Sequence, residues 1–282
     1  MKETRAEHLA VEKLRPFEGH PFKVVDNEEM DQLVWSILTQ GLLTPLVVRP
    51  LDNGEYEVIS GHRRLHACRK AGIETVPALV YTIDRDAAAI ALVDSNLHRE
   101  RILPSEKAFA YKLKMDALSR QGKRTDLTSR QVGEKLSVTQ LSESSNESER
   151  QIHRYIRLTN LVPGILEKVD EGRIALTPAV ELSYLAETEQ KDLLETMESE
   201  DCTPSLSQAI QLKQLSQAGK LDMDTIFGIL TQPKANQREK ISFRTDEVRK
   251  FFPKNYTPAQ MQEVILKLLG EYQRKRQRSQ ER

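Results

Sequence analysis

The chain has 282 residues, long enough for two or three domains, and its 42 Lys and Arg residues balance its 42 Asp and Glu residues. A neutral chain has no overall attraction for polyanions, so a nucleic-acid surface would require local segregation of charge. The absence of an apolar run near the ~18 residues of a membrane helix, of a signal-peptide core and of a disulfide or metal-ligand spacing at Cys68 and Cys202 predicts a cytoplasmic protein with no membrane partner.

The first predicted elements follow a loop that contains Pro16 and Pro21. Residues 28–40 are predicted to form an amphipathic helix closed by Gly41, because apolar residues recur at the helical spacing i, i+3, i+4, i+7 and i+8. Residues 46–49 and 55–59 read as two strands, and Asp52-Asn53-Gly54 between them predicts a hairpin. Residues 76–81 form another predicted strand and residues 84–97 another helix, so the first hundred residues or so indicate a small α/β unit.

Two adjacent arginines, Arg63 and Arg64, lie in the first turn of a helix that follows a Ser60-Gly61 break. Free N–H groups at a helix N-terminus favour an anion, whereas the helix dipole disfavours positive charge there. We interpret the pair as guanidinium forks that hold a phosphate chain, although a solvated basic turn explains the same residues. Asn96 and Arg99 could contact the same phosphates, or they could belong to a plain connection before a helix over residues 106–120, which Ser105 is predicted to cap.

Three motifs in this half resemble those of the ParB family of partition proteins, most like members carried on integrative mobile elements. Gly61–Ala67 matches the family box Gly-Glu-Arg-Arg-x-Arg-Ala, and Gly41–Arg49 matches Gly-x-x-x-Pro-Ile-x-Val-Arg. Ser95–Arg99 matches Glu-Asn-x-x-Arg, and Leu103–Ala108 matches the Leu-x-Pro-x-Glu-x-Ala that follows it. The resemblance extends over roughly residues 10 to 190.

The resemblance implies a ParB/sulfiredoxin-like domain that binds CTP and Mg²⁺ and closes into a clamp on DNA. It also implies a homodimer and a ParA-type ATPase as a partner. Asn96 would be the metal ligand. The nucleotide-binding residues would be Thr44, Gly61, His62, Arg63, Arg64, Asn96 and Arg99.

Departures from the family pattern affect the chemistry expected at this site. The two acidic positions of the motifs are His62 and Ser95, and the third boxed arginine is His66. Mg²⁺ prefers oxygen ligands, so His62 cannot replace a carboxylate, but a protonated His62 could donate a hydrogen bond to phosphate. We therefore expect CTP hydrolysis to be weak or absent. The same fold also resembles sulfiredoxin and a small serine kinase. Sulfiredoxin needs a nucleophilic cysteine before its His-Arg, where Ser60 and Gly61 stand here, so peroxiredoxin repair is not expected. A nucleotide-dependent kinase or hydrolase stays open as an alternative.

The middle of the chain predicts a helix-turn-helix. A short helix over residues 128–136 is followed by residues 140–158, in which Leu141 packs the first helix, Asn146 occupies the turn and Ser148 caps the second helix. A more apolar residue than Ser145 would pack better there. The buried side of the second helix would consist of Ile152, Tyr155, Ile156 and Leu158.

The outward side of that helix is rich in groups that recognise DNA. A recognition helix reads the major groove from its N-terminal part, and arginine and glutamine suit guanine and adenine edges. Arg157, at the other end, suits phosphate. A plain helical hairpin is the alternative. The residues predicted to contact DNA are Ser148, Glu149, Arg150, Gln151, His153, Arg154 and Arg157.

Further helices are predicted over residues 163–169, 177–185, 187–197 and 205–218, and a linker over residues 231–239. The end of the chain contains a possible strand at residues 241–243 and a helix opened by Tyr256-Thr257-Pro258. Its apolar stripe must meet either another chain or the body of the protein. Its basic tail, Arg274–Arg278, could attract DNA or could be a solvated helix end. The stripe consists of Met261, Val264, Ile265, Leu268 and Leu269.

Together these patterns predict an α+β, mainly α-helical protein. We expect a ParB-like nucleotide-binding domain at residues 1–103, an all-helical helix-turn-helix domain at residues 104–230, and a linker with a small C-terminal segment at residues 231–282. The predicted function is sequence-specific binding of double-stranded DNA in the partition of a chromosome, plasmid or integrative element, associated with the nucleoid. A transcription regulator with a degenerate nucleotide site is a further alternative.

Overall fold

The computed structural model describes residues 4–97, 99, 101–124, 138–143, 145, 147–232, 249–253 and 256–280. The chain divides into two compact units, Met1–Gln232 and Pro233–Arg282. The predicted helix over residues 128–136, the turn at Asn146, and the linker from residue 233 with the strand at residues 241–243 lie outside the described residues. The proposed boundary between residues 103 and 104 stays a prediction.

The N-terminal part contains a five-stranded mixed sheet with the order β1-β5-β3-β4-β2. The predicted hairpin is confirmed, since β3 and β4 pair antiparallel; β1 pairs antiparallel with β5, while β5–β3 and β4–β2 are parallel. Sequence patterns missed β1 and β2, because β1 is an edge strand with mostly exposed side chains and β2 has three residues. The strands are β1 (Thr4–Ala10), β2 (Leu14–Pro16), β3 (Leu46–Pro50), β4 (Tyr56–Ser60) and β5 (Thr75–Tyr81).

Helices cover both faces of this sheet: α1 (Glu28–Gln40) and α2 (His62–Lys70) pack on one, and α3 (Arg85–Leu97) packs on the other. Two neighbouring residues of β4 pack on opposite faces of the sheet, because successive side chains of a strand point to opposite sides. Val58 packs with α1 and α2, and Ile59 packs with α3. The predicted α1 is confirmed. Its Asn27 cap accepts a hydrogen bond from the Met30 backbone N–H, and it ends at Gly41, whose φ is 74°.

Helix α4 (Pro104–Arg124) is shared by three apolar clusters. Ala110 packs with α3 and the sheet, Tyr111 packs with Leu141 and Ile152, and Ala108 joins the core of the helical half. The prediction that Ser105 caps this helix is wrong, because the helix begins at Pro104. Ser105 instead donates hydrogen bonds from its backbone N and its Oγ to Asp170, at 2.9 and 2.5 Å, and so ties α4 to a later helix.

The helical half packs around buried leucine and isoleucine side chains such as Ile165, Leu182 and Leu212. The helices predicted after the helix-turn-helix are present with shifted ends, and α10, with only eight residues, was not predicted. They are α5 (Glu149–Arg157), α6 (Pro163–Asp170), α7 (Leu176–Leu182), α8 (Glu187–Ser199), α9 (Leu206–Gln217) and α10 (Met223–Leu230), with a 3₁₀ turn at Leu158–Asn160. The prediction of a mainly helical α+β fold is confirmed.

The C-terminal unit contains α11 (Pro258–Gln280). Of its predicted apolar stripe, Met261 is buried, whereas Leu268 and Leu269 are exposed within this unit at 58% and 57%. Val264 and Ile265 are half-buried. The exposed end of the stripe leaves room for a partner chain, and dimerisation through it stays a prediction. Among the helices of the described residues, none combines the length and the hydropathy needed to cross a bilayer.

Candidate functional site

Gly61 forms the bend between β4 and α2. Its φ of 104° lies in the left-handed region, where a side chain is strained. A Cβ atom at this position would lie 2.6 Å from Leu46 Cδ2 and 3.1 Å from Arg64 Nη2. The close approach of the two neighbouring side chains therefore requires glycine.

The two arginines after this bend have different surroundings. Arg64 donates from Nη1 to the backbone carbonyls of Thr44 and Pro45, at 2.6 and 2.9 Å, and burial lowers the pKa of its guanidinium. Arg63 pairs with Glu29 at 3.2 Å, and both side chains are exposed, at 40% and 72%. Positive charge at this helix N-terminus is thus compensated within the protein, so it does not by itself require a phosphate ligand. Arg63 is the more accessible of the two to an external anion.

Two further residues of α2, His66 and Lys70, contact acidic residues. His66, which stands at the third boxed position, lies 3.0 Å from Asp26, and Lys70 pairs with both Asp26 and Asp31. These contacts fix α2 against the start of α1. They direct His66 toward a carboxylate of the protein itself.

His62 contacts the loop at Phe17 and the ring of His20. Its Nε2 accepts a hydrogen bond from the Phe17 backbone N–H at 3.3 Å, and its ring lies 3.7 Å from that of His20, centroid to centroid. Burial, followed by the charges of His20 and Arg99, lowers the pKa of His62 from 6.5 to about 3. Donation of a hydrogen bond from a protonated His62 to a bound phosphate stays a prediction. The residue joins the loop at Phe17 to the end of β4.

Asn96 is buried, with 5% exposure. Its Nδ2 donates to the Leu92 carbonyl at 2.7 Å and to Ser95 Oγ at 3.2 Å, so Oδ1 is the atom left for a ligand. Within the described residues, no group of three or more His, Cys, Asp and Glu side chains is arranged to hold a metal. Mg²⁺ in nucleotide sites is usually held by one or two carboxylates and the phosphates. A single amide oxygen does not fit a protein-held Mg²⁺.

Arg99 brings a further positive charge to the same region. Its Cζ lies 5.4 Å from the Phe22 ring centroid, and its pKa is lowered by burial and by the nearby charge of Arg63, against the opposing effect of Glu106. Arg99 also lines a cavity of about 580 Å³ with two cations that the sequence analysis did not single out, Arg101 and Lys107. The spacing of Arg99 and Arg101, two residues apart in the sequence, could have indicated this cationic cavity. Arg63 and Arg99 are thus close enough to influence each other.

The histidine pair predicts an acid-sensitive fold. His20 has a pKa lowered to about 4, mainly by burial, and His62 one lowered to about 3, both from 6.5. Below about pH 6.5 the unfolded chain binds protons that the folded chain does not, so the free energy of unfolding should decrease as pH falls from 6.5 toward 4 and 3. His62 contributes a slope of at most about 1.4 kcal/mol per pH unit. Urea unfolding at several pH values measures it, and His62→Gln should flatten the slope. An unchanged slope in that variant would contradict the assignment.

The predicted recognition helix, α5, has the expected cap and the expected buried side. Ser148 Oγ accepts a hydrogen bond from the Gln151 backbone N–H at 3.2 Å, and Ile152 is fully buried against Tyr111 and Leu141. Tyr155 and Ile156 are partly buried against the same cluster. Ser145 Oγ donates to the Leu141 carbonyl at 2.8 Å, so this polar residue is satisfied where a more apolar one was expected to pack better.

Five of the seven residues predicted to contact DNA line one groove of about 730 Å³: Glu149, Arg150, His153, Arg154 and Arg157. The other two brace the helix. Ser148 caps it, and Gln151 Oε1 accepts from Arg154 Nη1 at 3.1 Å, while Arg154 Nη2 donates to Thr177 Oγ1 at 2.6 Å. The groove is also lined by Lys112 of α4 and by Tyr184, which the sequence analysis missed because both lie outside the predicted helix-turn-helix.

The turn before α5 is tied to α4. Lys107 Nζ lies 2.7 Å from Glu147 Oε1, with side-chain exposures of 27% and 18%, and Ser142 Oγ donates to the Glu147 carbonyl at 2.7 Å. Lys107 also lines the cavity that contains Arg99. One residue of α4 therefore lines the cavity that contains Arg99 and also contacts the turn that leads into α5.

Comparisons with known proteins give concordant matches. Residues 1–97 match the family described as ParB N-terminal domain. The chain is 28% identical over 253 residues to the "Probable chromosome-partitioning protein ParB" of Vibrio cholerae, covering 86% of this chain and 83% of that protein. It is 38% identical over 105 residues to the "Nucleoid occlusion protein" of Geobacillus kaustophilus, covering 37% of each chain.

Crystal structures of C-terminally truncated chromosome-partitioning protein ParB from Caulobacter crescentus also match. The one complexed to the centromeric parS site has 21% identity and a TM-score of 0.41, and covers 74% of this chain and 98% of that chain. The one complexed with CTP-gamma-S has 22% identity and a TM-score of 0.32, and covers 69% and 99%.

Proposed function

This chain belongs to the ParB family, and we propose that it is a sequence-specific DNA-binding partition protein whose N-terminal part responds to CTP. The observation that carries the proposal is the groove along α5, where three arginines and a histidine of one capped helix meet. Arginine donors suit base edges and phosphates of duplex DNA. The net-neutral chain thereby concentrates positive charge on one surface.

For the nucleotide, Arg63 and Arg99 would contact the triphosphate, with the N–H groups of the first turn of α2. Arg64, which holds the carbonyls of Thr44 and Pro45, would shape the turn and contact phosphate secondarily. CTP binding is supported by family membership and by these accessible cations. Closure of two N-terminal domains into a clamp, a homodimer through α11, a ParA-type ATPase partner and association with the nucleoid complete the proposal.

Hydrolysis should be weak or absent in this chain. Ser95 and His62 occupy the positions of the two family carboxylates, and Asn96 offers one oxygen to Mg²⁺. We therefore expect CTP to bind through the arginines with little dependence on Mg²⁺. Calorimetric titration of CTP in excess EDTA and in Mg²⁺ tests this expectation. A strict requirement for Mg²⁺, or rapid release of phosphate, would contradict it.

Selection of bound sequences from random duplex DNA tests the central proposal. Enrichment of a palindrome is expected, because a two-fold symmetric dimer binds two related half-sites. Titration of CTP, ATP and GTP, with and without the selected duplex, then tests the nucleotide. A phosphorylated product formed without DNA would favour a kinase or hydrolase, and operator binding without any nucleotide binding would favour a transcription regulator.

The two arginines of α2 should differ when each is replaced by alanine. Arg63→Ala should weaken CTP binding by about 1.5–3 kcal/mol, the range for a hydrogen bond to a charged group, and leave the free energy of unfolding within about 0.5 kcal/mol. Arg64→Ala should also lower the free energy of unfolding by about 1–3 kcal/mol, because two carbonyls lose their donor. Calorimetry and urea unfolding measure the two effects. Equal stability of the two variants would contradict the assignment.

A further inference from the structure

Tyr184 lies just beyond α7 on the rim of the DNA groove. Its side chain is 42% exposed, and the Cζ atom of Arg157 lies 3.9 Å from its ring centroid. Tyr184 and Arg157 also both line a neighbouring groove of about 460 Å³. The stacked pair therefore forms the ridge between the two grooves, at the C-terminal end of the recognition helix.

Arg157 is restrained by two consecutive residues outside the helix-turn-helix. Its Nε donates to Ser183 Oγ and its Nη2 to the Ser183 carbonyl, each at 3.2 Å, while its Cζ lies over the ring of Tyr184. Ser183 is itself buried and fixed by a hydrogen bond to the Val180 carbonyl at 2.7 Å. Arginine has a large rotamer entropy, and ordering it before binding removes part of the cost of making a contact.

The charge of Arg157 remains available for a ligand, because these restraints are neutral oxygens and an aromatic face. The second cation on the ring differs in this respect. Lys213 Nζ also lies 3.9 Å from the Tyr184 centroid, but it pairs with Glu181 Oε2 at 2.9 Å. Of the two cations held by Tyr184, Arg157 is thus the one suited to an external phosphate.

We propose that Tyr184 is a positioning residue for DNA binding: its ring fixes the Arg157 guanidinium so that it contacts a backbone phosphate of the duplex. This inference rests on the proposed DNA-binding function and assigns part of the interface to a residue outside the recognition helix. Phosphate contacts carry no base information. Tyr184 should therefore contribute equally to the affinity for the selected sequence and to the affinity for random duplexes.

The test is a double-mutant cycle read by fluorescence anisotropy with both kinds of duplex, on the full chain. Tyr184→Ala should weaken binding about two- to fivefold, the range for an exposed cation–π contact. Tyr184→Phe, which keeps the ring, should bind with the affinity of the unaltered chain. In the Arg157→Ala background, Tyr184→Ala should cause no further loss, because the residue that it positions is gone. Phe227→Ala, which removes a similarly exposed aromatic side chain outside the groove, should leave affinity unchanged.

Equal losses from Tyr184→Ala in the presence and absence of Arg157 would overturn the inference, since the tyrosine would then act independently of the arginine. No loss from Tyr184→Ala would overturn it as well. Circular dichroism verifies the fold, and Tyr184→Leu, which keeps apolar volume without an aromatic face, replaces the alanine variant if that variant is unfolded. Failure of the unaltered chain to bind any duplex would overturn the proposed function, whereas additivity in the cycle would overturn only the role of Tyr184.

Discussion

Gly61→Ala should lower the free energy of unfolding by about 2–5 kcal/mol and abolish CTP binding. Two costs add. A left-handed backbone disfavours a side chain by about 1–2 kcal/mol, and overpacking costs about 1–3 kcal/mol, because the new Cβ would lie 2.6 Å from Leu46. Leu46 is fully buried, so relief of that contact would displace either its side chain within the core or the start of α2, which carries Arg63. Urea unfolding and calorimetric titration of CTP measure the two results.

Gly54→Ala is the matched control for this experiment. Gly54 has a φ of 79° in the β3–β4 turn and has open space where a Cβ would stand. It should therefore show the backbone cost alone and retain CTP binding. Equal destabilisation by the two substitutions would show that the contact with Leu46 is not the reason for glycine at position 61.

The double substitution Arg150→Ala and Arg154→Ala should weaken binding to the selected duplex by about 2–6 kcal/mol, since each arginine that contacts a base contributes about 1–3 kcal/mol. Both residues lie in the groove along α5, and Arg154 is oriented by Gln151 and Thr177. Preference for the selected site over random duplex should fall with affinity. Anisotropy titrations at several salt concentrations measure both quantities.

Arg173→Ala serves as the control for charge. Arg173 pairs with Asp201 at 2.8 Å and is exposed, but it does not line the groove along α5. Its loss removes one of the two positive charges that the double substitution removes, from the same half of the protein, and should leave site preference unchanged. An equal loss of affinity from this variant would assign DNA binding to overall charge, against the groove.

Local sequence patterns predicted the structure correctly where the residues that determine an element lie close together in the sequence. The α1 periodicity, the Asp52-Asn53-Gly54 hairpin and the Ser148 cap depend on residues a few positions apart, and each is present in the structure. Strand β1 was missed because its stability comes from pairing with β5, about seventy residues later in the sequence, and its exposed side chains show little apolar alternation.

The same distinction applies to the candidate site. Sequence motifs placed arginines after a glycine bend, but they could not show that Arg64 is occupied by the carbonyls of Thr44 and Pro45. They also could not show that Phe17 donates to His62 from 45 residues away. These contacts join segments that are distant in sequence, and their partners are backbone atoms, which leave no mark on residue type.

Helix α4 has a consequence for how such proteins can be recombined. Ala108, Ala110 and Tyr111 are consecutive or nearly so, yet each belongs to a different apolar cluster. A chimera joined ahead of Pro104 would separate this helix from the α3 surface that it evolved to cover. A chimera that carries this N-terminal half on a relative's C-terminal half should therefore fold only when α4 is transferred as well. The relative must also supply side chains that complement Tyr111.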